Sequence, residues 1–533
     1  MRKLLVGAFL AVAIIALGLF TGSARASVGD CDEPAALCTE PYDSIGYEGE
    51  YTGHDEPSLL FYSNTAGAGN SSSYGLRLPS DPKVLPNQAG TAGTWNFQLH
   101  PAFWVGMALC DNQSAPEFTH APCVPDSDTN IFDSGDPAAP DYIGHHPGTA
   151  FLEVQFYPPG WAPWPPGVSC DPAQWCAAMA IFSFNRDLNT VPVTNNNADC
   201  LNKVGVEPAN FAFITTSGVP HAPPGPLNQT AGTFTPNSTT DLFMNSGDRL
   251  TVDVHDAAAG LTVIVHDHTT GDSGSMTASA ANGFAQVLFE PASPTCHELP
   301  YTFRPMYATS SEHTRVPWAA HSYNVAFSDE IGHFEYCSAV TEEGGDCTSN
   351  NEGTLDGDDT GCFSAAFSLF VPIGGCIATD NDFDGTSYQP VWPGTNPNRG
   401  QDKKYHPTPI TFTGPVFNGS QNYSRVAFEA DLPRIEAADF GGNCNRLTGA
   451  GCVNPPPGSN FYPIYSTGTS TQNPSANGHC VWQFGGPYIK GTTNTFGGNS
   501  AAEFGPLLFT PYPNIPVRTN NFRRILSSNP CPA

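Results

Sequence analysis

The sequence predicts an all-β protein of several domains, of β-sandwich or jelly-roll type, loop-rich and cross-linked by disulfides. Three observations carry that expectation. Gly (53) and Pro (51) are abundant in the 533 residues, and a helix interior tolerates them poorly, at roughly 1 and 3 kcal/mol per residue relative to Ala. Apolar residues recur in short runs with a period of two, bounded by turn-forming clusters. All 16 Cys lie beyond residue 30, behind an export signal, where an even count reads as disulfides. The 39% hydrophobic and 11% aromatic content supplies apolar surface for cores and argues against wholesale disorder.

The signal peptide is assigned to residues 1–26. Arg2 and Lys3 form its positive start, residues 4–20 its apolar stretch, and Ala24-Arg25-Ala26 its small-x-small cleavage site. No later run of 18 apolar residues occurs, so no membrane span is expected after cleavage, and the expected location is extracellular. Residues 27–54 form a lead segment.

A first sandwich is placed at 55–218. Its strand signals are 94–99 (TWNFQL), the apolar run 103–109, 151–157 (FLEVQFY) and 211–215. In 151–157, Leu152, Val154 and Phe156 share one face, and Glu153, Gln155 and Tyr157 share the other. The stretch 219–227 (VPHAPPGPL) reads as a solvated Pro-rich linker. A second sandwich is placed at 228–340. Its clearest element is a hairpin of 249–256 (RLTVDVHD) and 261–268 (LTVIVHDH), with Leu250, Val252 and Val254 facing the core beside Val263 and Val265. The two sandwiches could equally form one double-sheet domain. Residues 341–533 are an irregular Cys/Gly/Pro-rich region with acidic loops, in which 426–439 could hold one short helix. Near-neighbour spacing suggests disulfides Cys31–Cys38, Cys110–Cys123, Cys170–Cys176, Cys347–Cys362 and Cys444–Cys452.

Lys and Arg number 20 against 50 Asp and Glu, a net charge of −30. Such a chain is repelled by phosphate backbones, so nucleic acid is excluded as a general partner. Within the acidic loops, Asp380, Asp382 and Asp384 alternate ahead of Gly385. That pattern wraps oxygen ligands around a hard cation, and predicts a structural Ca²⁺. The twelfth position is Val391 rather than Glu, so the loop is not an EF-hand. Weaker alternations lie at Asp126/Asp128 and Asp356/Asp358.

His255, His266 and His268 on the hairpin resemble a metal-binding H-x-H arrangement, but a polar outer strand face has the same composition. Gly271-Asp272-Ser273-Gly274 matches a serine-protease tetrapeptide without the context that would make it one. Glycosidic chemistry needs two carboxylates, for which Glu153 and Glu330 are the weak candidates. Trp161 and Trp164 lie in a Pro-stiffened loop and could stack on sugar C–H faces. The function expected is binding of an extracellular or cell-surface polysaccharide. Its rivals are a secreted carbohydrate-active hydrolase or lyase using paired carboxylates, and a structural or adhesive surface protein.

Overall fold

The computed structural model describes residues 58–63, 68–78, 103–111, 149–157, 159, 170–171, 173–183, 185–187, 194–205, 208–305, 314–320, 411–419, 421–422, 425–431, 465–468, 481–484, 507–508 and 521–526. The strands are β1 Ser58–Ser63, β2 Ser71–Arg77, β3 Phe103–Cys110, β4 Thr149–Tyr157, β5 Gln174–Phe182, β6 Arg186–Asp187, β7 Thr194–Asn195, β8 Ala209–Phe213, β9 Phe243–Asn245, β10 Arg249–Ala257, β11 Gly260–Asp267 and β12 Ser273–Ala278. They continue as β13 Ala285–Val287, β14 Glu298–Pro300, β15 Thr314–Ala320, β16 Thr411–Thr413, β17 Val416–Phe417, β18 Gln421–Asn422, β19 Arg425–Asp431, β20 Tyr465–Gly468, β21 Val481–Phe484, β22 Leu507–Leu508 and β23 Asn521–Leu526. Helix α1, Ala198–Val204, is the one α-helix among the described residues.

A ten-stranded sheet runs β22-β23-β19-β1-β15-β3-β4-β5-β8, with β9 also on β5. A nine-stranded sheet runs β12-β11-β10-β2-β16-β21-β20, with β17 on β2 and β18 on β17. Neighbours pair antiparallel, as in β4 with β5 and β10 with β2. The protein is thus all-β with disulfides, as the sequence predicts.

Alternation decides which side chains meet. From the larger sheet Phe61, Val105, Leu152, Val154 and Met179 enter one buried cluster with Tyr74, Leu76, Val252, Val263 and Met276 of the smaller. Phe61 and Trp482 touch edge to face across the two sheets, ring centroids 5.8 Å apart. Each such side chain contributes about 1.5–3 kcal/mol by leaving water, and the shared cluster couples the sheets. The segments 55–218, 228–340 and 341–533 each supply strands to both sheets. The hairpin register places Val252 opposite Val265 and Val254 opposite Val263, on the apolar face expected for them.

Two segments differ from expectation. The Pro-rich stretch 219–227 lies against the sheet: Phe211 N donates to Pro224 O at 3.2 Å, and Pro224, Gly225 and Pro226 are buried. Proline lacks a donor but keeps its carbonyl, and here that carbonyl serves the edge strand β8. The start of 426–439, where one short helix was placed, instead lies in β19 (Arg425–Asp431) between β1 and β23, because long-range pairing overrides weak helical propensity.

Helix α1 was not anticipated, although its ends are written in the sequence. Asn197 caps it by accepting from Cys200 N, Asp199 lies in its first turn, Lys203 in its last, and Gly205 follows at φ 76°. Disulfides join Cys170 to Cys176, as spacing suggested, and Cys200 to Cys296, 96 residues apart. Cys110 is also disulfide-bonded. The other proposed pairs lie partly or wholly outside the described residues. Among the described residues no helix is long and apolar enough to cross a membrane.

Candidate functional site

The outer face of the larger sheet carries the polar row read from 151–157. Glu153, Gln155 and Tyr157 project from β4 on the side opposite the core. Tyr157 Oη donates to Gln155 Oε1 at 2.5 Å, and Gln155 Nε2 donates to Glu153 Oε2 at 2.5 Å. The chain of donors therefore points toward a carboxylate, the strongest acceptor of the three. Gln155 and Tyr157 are buried, whereas Glu153 is half-buried. Burial, and then the nearby Glu153 charge, push the Tyr157 phenol far above its usual range, so it stays neutral and donates.

The neighbouring strands place both small and aromatic residues beside this row, Trp104 standing opposite Gln155. Glu153 stands opposite Gly106 on β3 and Ala180 on β5, and Gln155 stands opposite Ala178. Neither cross-strand partner of Glu153 is a second carboxylate. Aromatic rings flank the small residues: Trp104 packs edge to face on Phe151 at 5.5 Å, and Tyr157 meets Phe211 at 6.2 Å.

Beyond β8 a strap, residues 219–240, folds over the aromatic cluster. Phe234 packs on Phe211 at 5.1 Å and His221 stacks on Phe213 at 5.7 Å. Asp241 holds the strap, accepting from His221 Nδ1 at 2.7 Å and from Asn237 N at 2.7 Å.

The hairpin histidines lie on the outer face of the smaller sheet. Register sets His266 opposite both Thr251 and Ser273, and its Nε2 lies 3.9 Å from Asp253 Oδ2. His268 falls beyond the end of β11 and meets Thr251 Oγ1 at 2.7 Å. Ser, His and Asp are thus neighbours on one face, yet 3.9 Å is too long for the hydrogen bond that orients a catalytic imidazole. Register could have revealed this juxtaposition only once β11 and β12 were known to pair.

Trp161, Trp164, Glu330, Asp380, Asp382 and Asp384 lie outside the described residues, as do the weaker acidic alternations. Among the described residues, no group of three or more His, Cys, Asp or Glu is placed to hold a metal ion. Comparison with known proteins finds no matching family model, no curated protein that matches in sequence and no solved structure that matches the fold.

Proposed function

We propose that this is a secreted protein that binds polysaccharide, using the outer face of the larger sheet around Glu153. One observation carries the reading: a half-buried carboxylate ends a buried donor chain, Tyr157 to Gln155 to Glu153. Sugar hydroxyls are donors and acceptors at fixed spacing, and they are recognised by polar groups whose rotamers are already held. Gly106 and Ala180 stand opposite Glu153 in register, so neither neighbouring strand sets a bulky side chain directly beside the carboxylate. Trp161 and Trp164, as candidate sugar-stacking rings, belong to the same reading. A structural calcium ion held by Asp380, Asp382 and Asp384 belongs to the same reading.

The test is a glycan array run beside a polysaccharide-degradation screen on the full chain, with calcium and with chelator. Retention of one glycan class, weakened at least tenfold by Glu153→Ala at an unchanged melting temperature, is the expected result. Equal retention by wild type and variant would remove the site from this face. Released oligosaccharide would replace binding by hydrolase or lyase chemistry and make carboxylates such as Glu153 and Glu330 the next targets.

A further inference from the structure

Away from the Glu153 face, two aspartates meet at one end of the smaller sheet. Asp267 closes β11, and its Oδ1 accepts from Thr269 N at 2.7 Å and Thr270 N at 3.2 Å in the turn leading to β12. Asp248 lies in the turn between β9 and β10, and its Oδ2 accepts from Asn245 N at 2.5 Å and Asn245 Nδ2 at 3.1 Å. Each carboxylate thus spends one oxygen on its own turn. The other oxygens are the unusual ones. Asp267 is only 2% exposed, and its Oδ2 is buried with no hydrogen-bond donor. Asp248 is 4% exposed, and none of its hydrogen bonds uses Oδ1. The two turns are joined directly, His268 N donating to Arg249 O at 2.8 Å and Arg249 N to Thr269 Oγ1 at 3.0 Å.

Among the described residues no protein cation compensates them. None of the ion pairs among the described residues includes Asp248 or Asp267. Arg77, whose strand neighbours the turn, donates its Nε to Gly247 O at 3.3 Å. Two buried carboxylates with no cation beside them are disfavoured, even with one oxygen of each hydrogen-bonded.

We propose that Asp248 and Asp267 are the protein's carboxylate ligands for a hard divalent cation of the calcium class, bound between the β9–β10 and β11–β12 turns. A charge of +2 neutralises both groups, whereas one shared proton leaves a net negative charge buried. Calcium suits the donor set because it takes oxygen ligands only and completes a shell of six to eight with backbone carbonyls and water. Two carboxylates are therefore sufficient as its acidic ligands. The proposal uses neither the Asp380 loop nor the glycan reading.

The test uses the full chain, stripped with chelator and titrated with Tb³⁺ under indole excitation. Trp175 Nε1 donates to Ser246 Oγ at 3.2 Å, two positions from Asp248, so an indole stands beside the site to sensitise the lanthanide. Sensitised emission displaced by Ca²⁺, and a melting temperature raised by about 2 °C or more in millimolar Ca²⁺, are expected for wild type. Asp248→Asn and Asp267→Asn should each lose at least tenfold in Tb³⁺ affinity, and Asp382→Asn should keep it. Both variants remove a repelled charge, and each is read separately in case one fails to fold. Unchanged Tb³⁺ affinity in both variants, or no response in wild type, would overturn the proposal.

Discussion

A Cβ added at Gly106 would overlap the carbonyl oxygen of Leu152 on the adjacent strand and press on the Phe151 ring. The close approach lies directly beside Glu153, which Gly106 faces in register. Gly106→Ala is expected to cost about 3 kcal/mol, because backbone must move. Gly247 provides the contrast, with φ 90° and nothing within 4 Å of its would-be Cβ. Gly247→Ala should cost only about 1 kcal/mol, from the left-handed backbone alone. Urea unfolding of the two variants measures both, and the reverse order would refute the packing argument.

The two disulfides differ in the chain they close. Cys170–Cys176 spans 6 residues and Cys200–Cys296 spans 96. In the chain-entropy account, removing the long one costs about 4–5 kcal/mol and the short one about 2. Ser pairs at each site, compared by thermal unfolding, should separate by that difference. Equal losses would mean that local packing, rather than loop closure, sets their value.

Two carboxylates near the long disulfide respond to pH in opposite senses. Asp199 is held below its usual range by the hydrogen bond from Lys203 and the amide of Cys296. Its contribution is present above the ordinary aspartate range and is lost as pH falls through the lowered value. Glu298 is raised by burial, which outweighs donation from Leu227 N and Asn228. Its contribution is present at low pH and is lost as pH rises from the ordinary glutamate range through the raised value. From acid to neutral pH, Asp199→Asn should therefore fall progressively behind wild type in melting temperature. Glu298→Gln should gain on wild type over the same interval. Curves parallel to wild type would exclude both assignments.

Asn196 ties three stretches of chain. Its Nδ2 donates to Asn185 Oδ1 and Leu288 O at 2.8 Å each, and its Oδ1 accepts from Asn197 N and Glu290 N at 2.9 Å each. Asn196→Ala strands these buried groups and should cost about 3 kcal/mol. Asn196→Asp keeps the acceptor but loses the donors, so it should also destabilise. A neutral result for Asp would show that the Leu288 contact carries no weight.

Local patterns were legible and distant partners were not. The alternation in 151–157 and 249–268 named the inward residues, because a period of two is set by each strand's own backbone. The partner of β1 could not be read this way: Phe61 stands opposite Val316 on one side and Val426 on the other, and no local signal encodes those pairings. For the same reason Cys200 was not matched to Cys296, while Cys170 and Cys176 were. The polar row at Glu153 was visible as composition. Its hydrogen bonds, its floor of small residues and the strap over Phe213 depend on neighbours that only the sheet brings together. The Asp248 and Asp267 pair was missed because each residue is an ordinary turn former in sequence.

The position of β1 sets a demand on folding time. β1 is flanked by β15 and β19, and β19 in turn by β23 at Asn521–Leu526. More than 350 residues separate β1 from β19 along the chain, so the sheet's contact order is high and its closure is intrinsically slow. A ribosome must add more than 360 residues after β1 before that strand has both neighbours. Until then β1 presents an open edge, able to pair with whatever strand arrives first. Assembly is thus a race between the correct partner and a wrong one, open until β19 has been made.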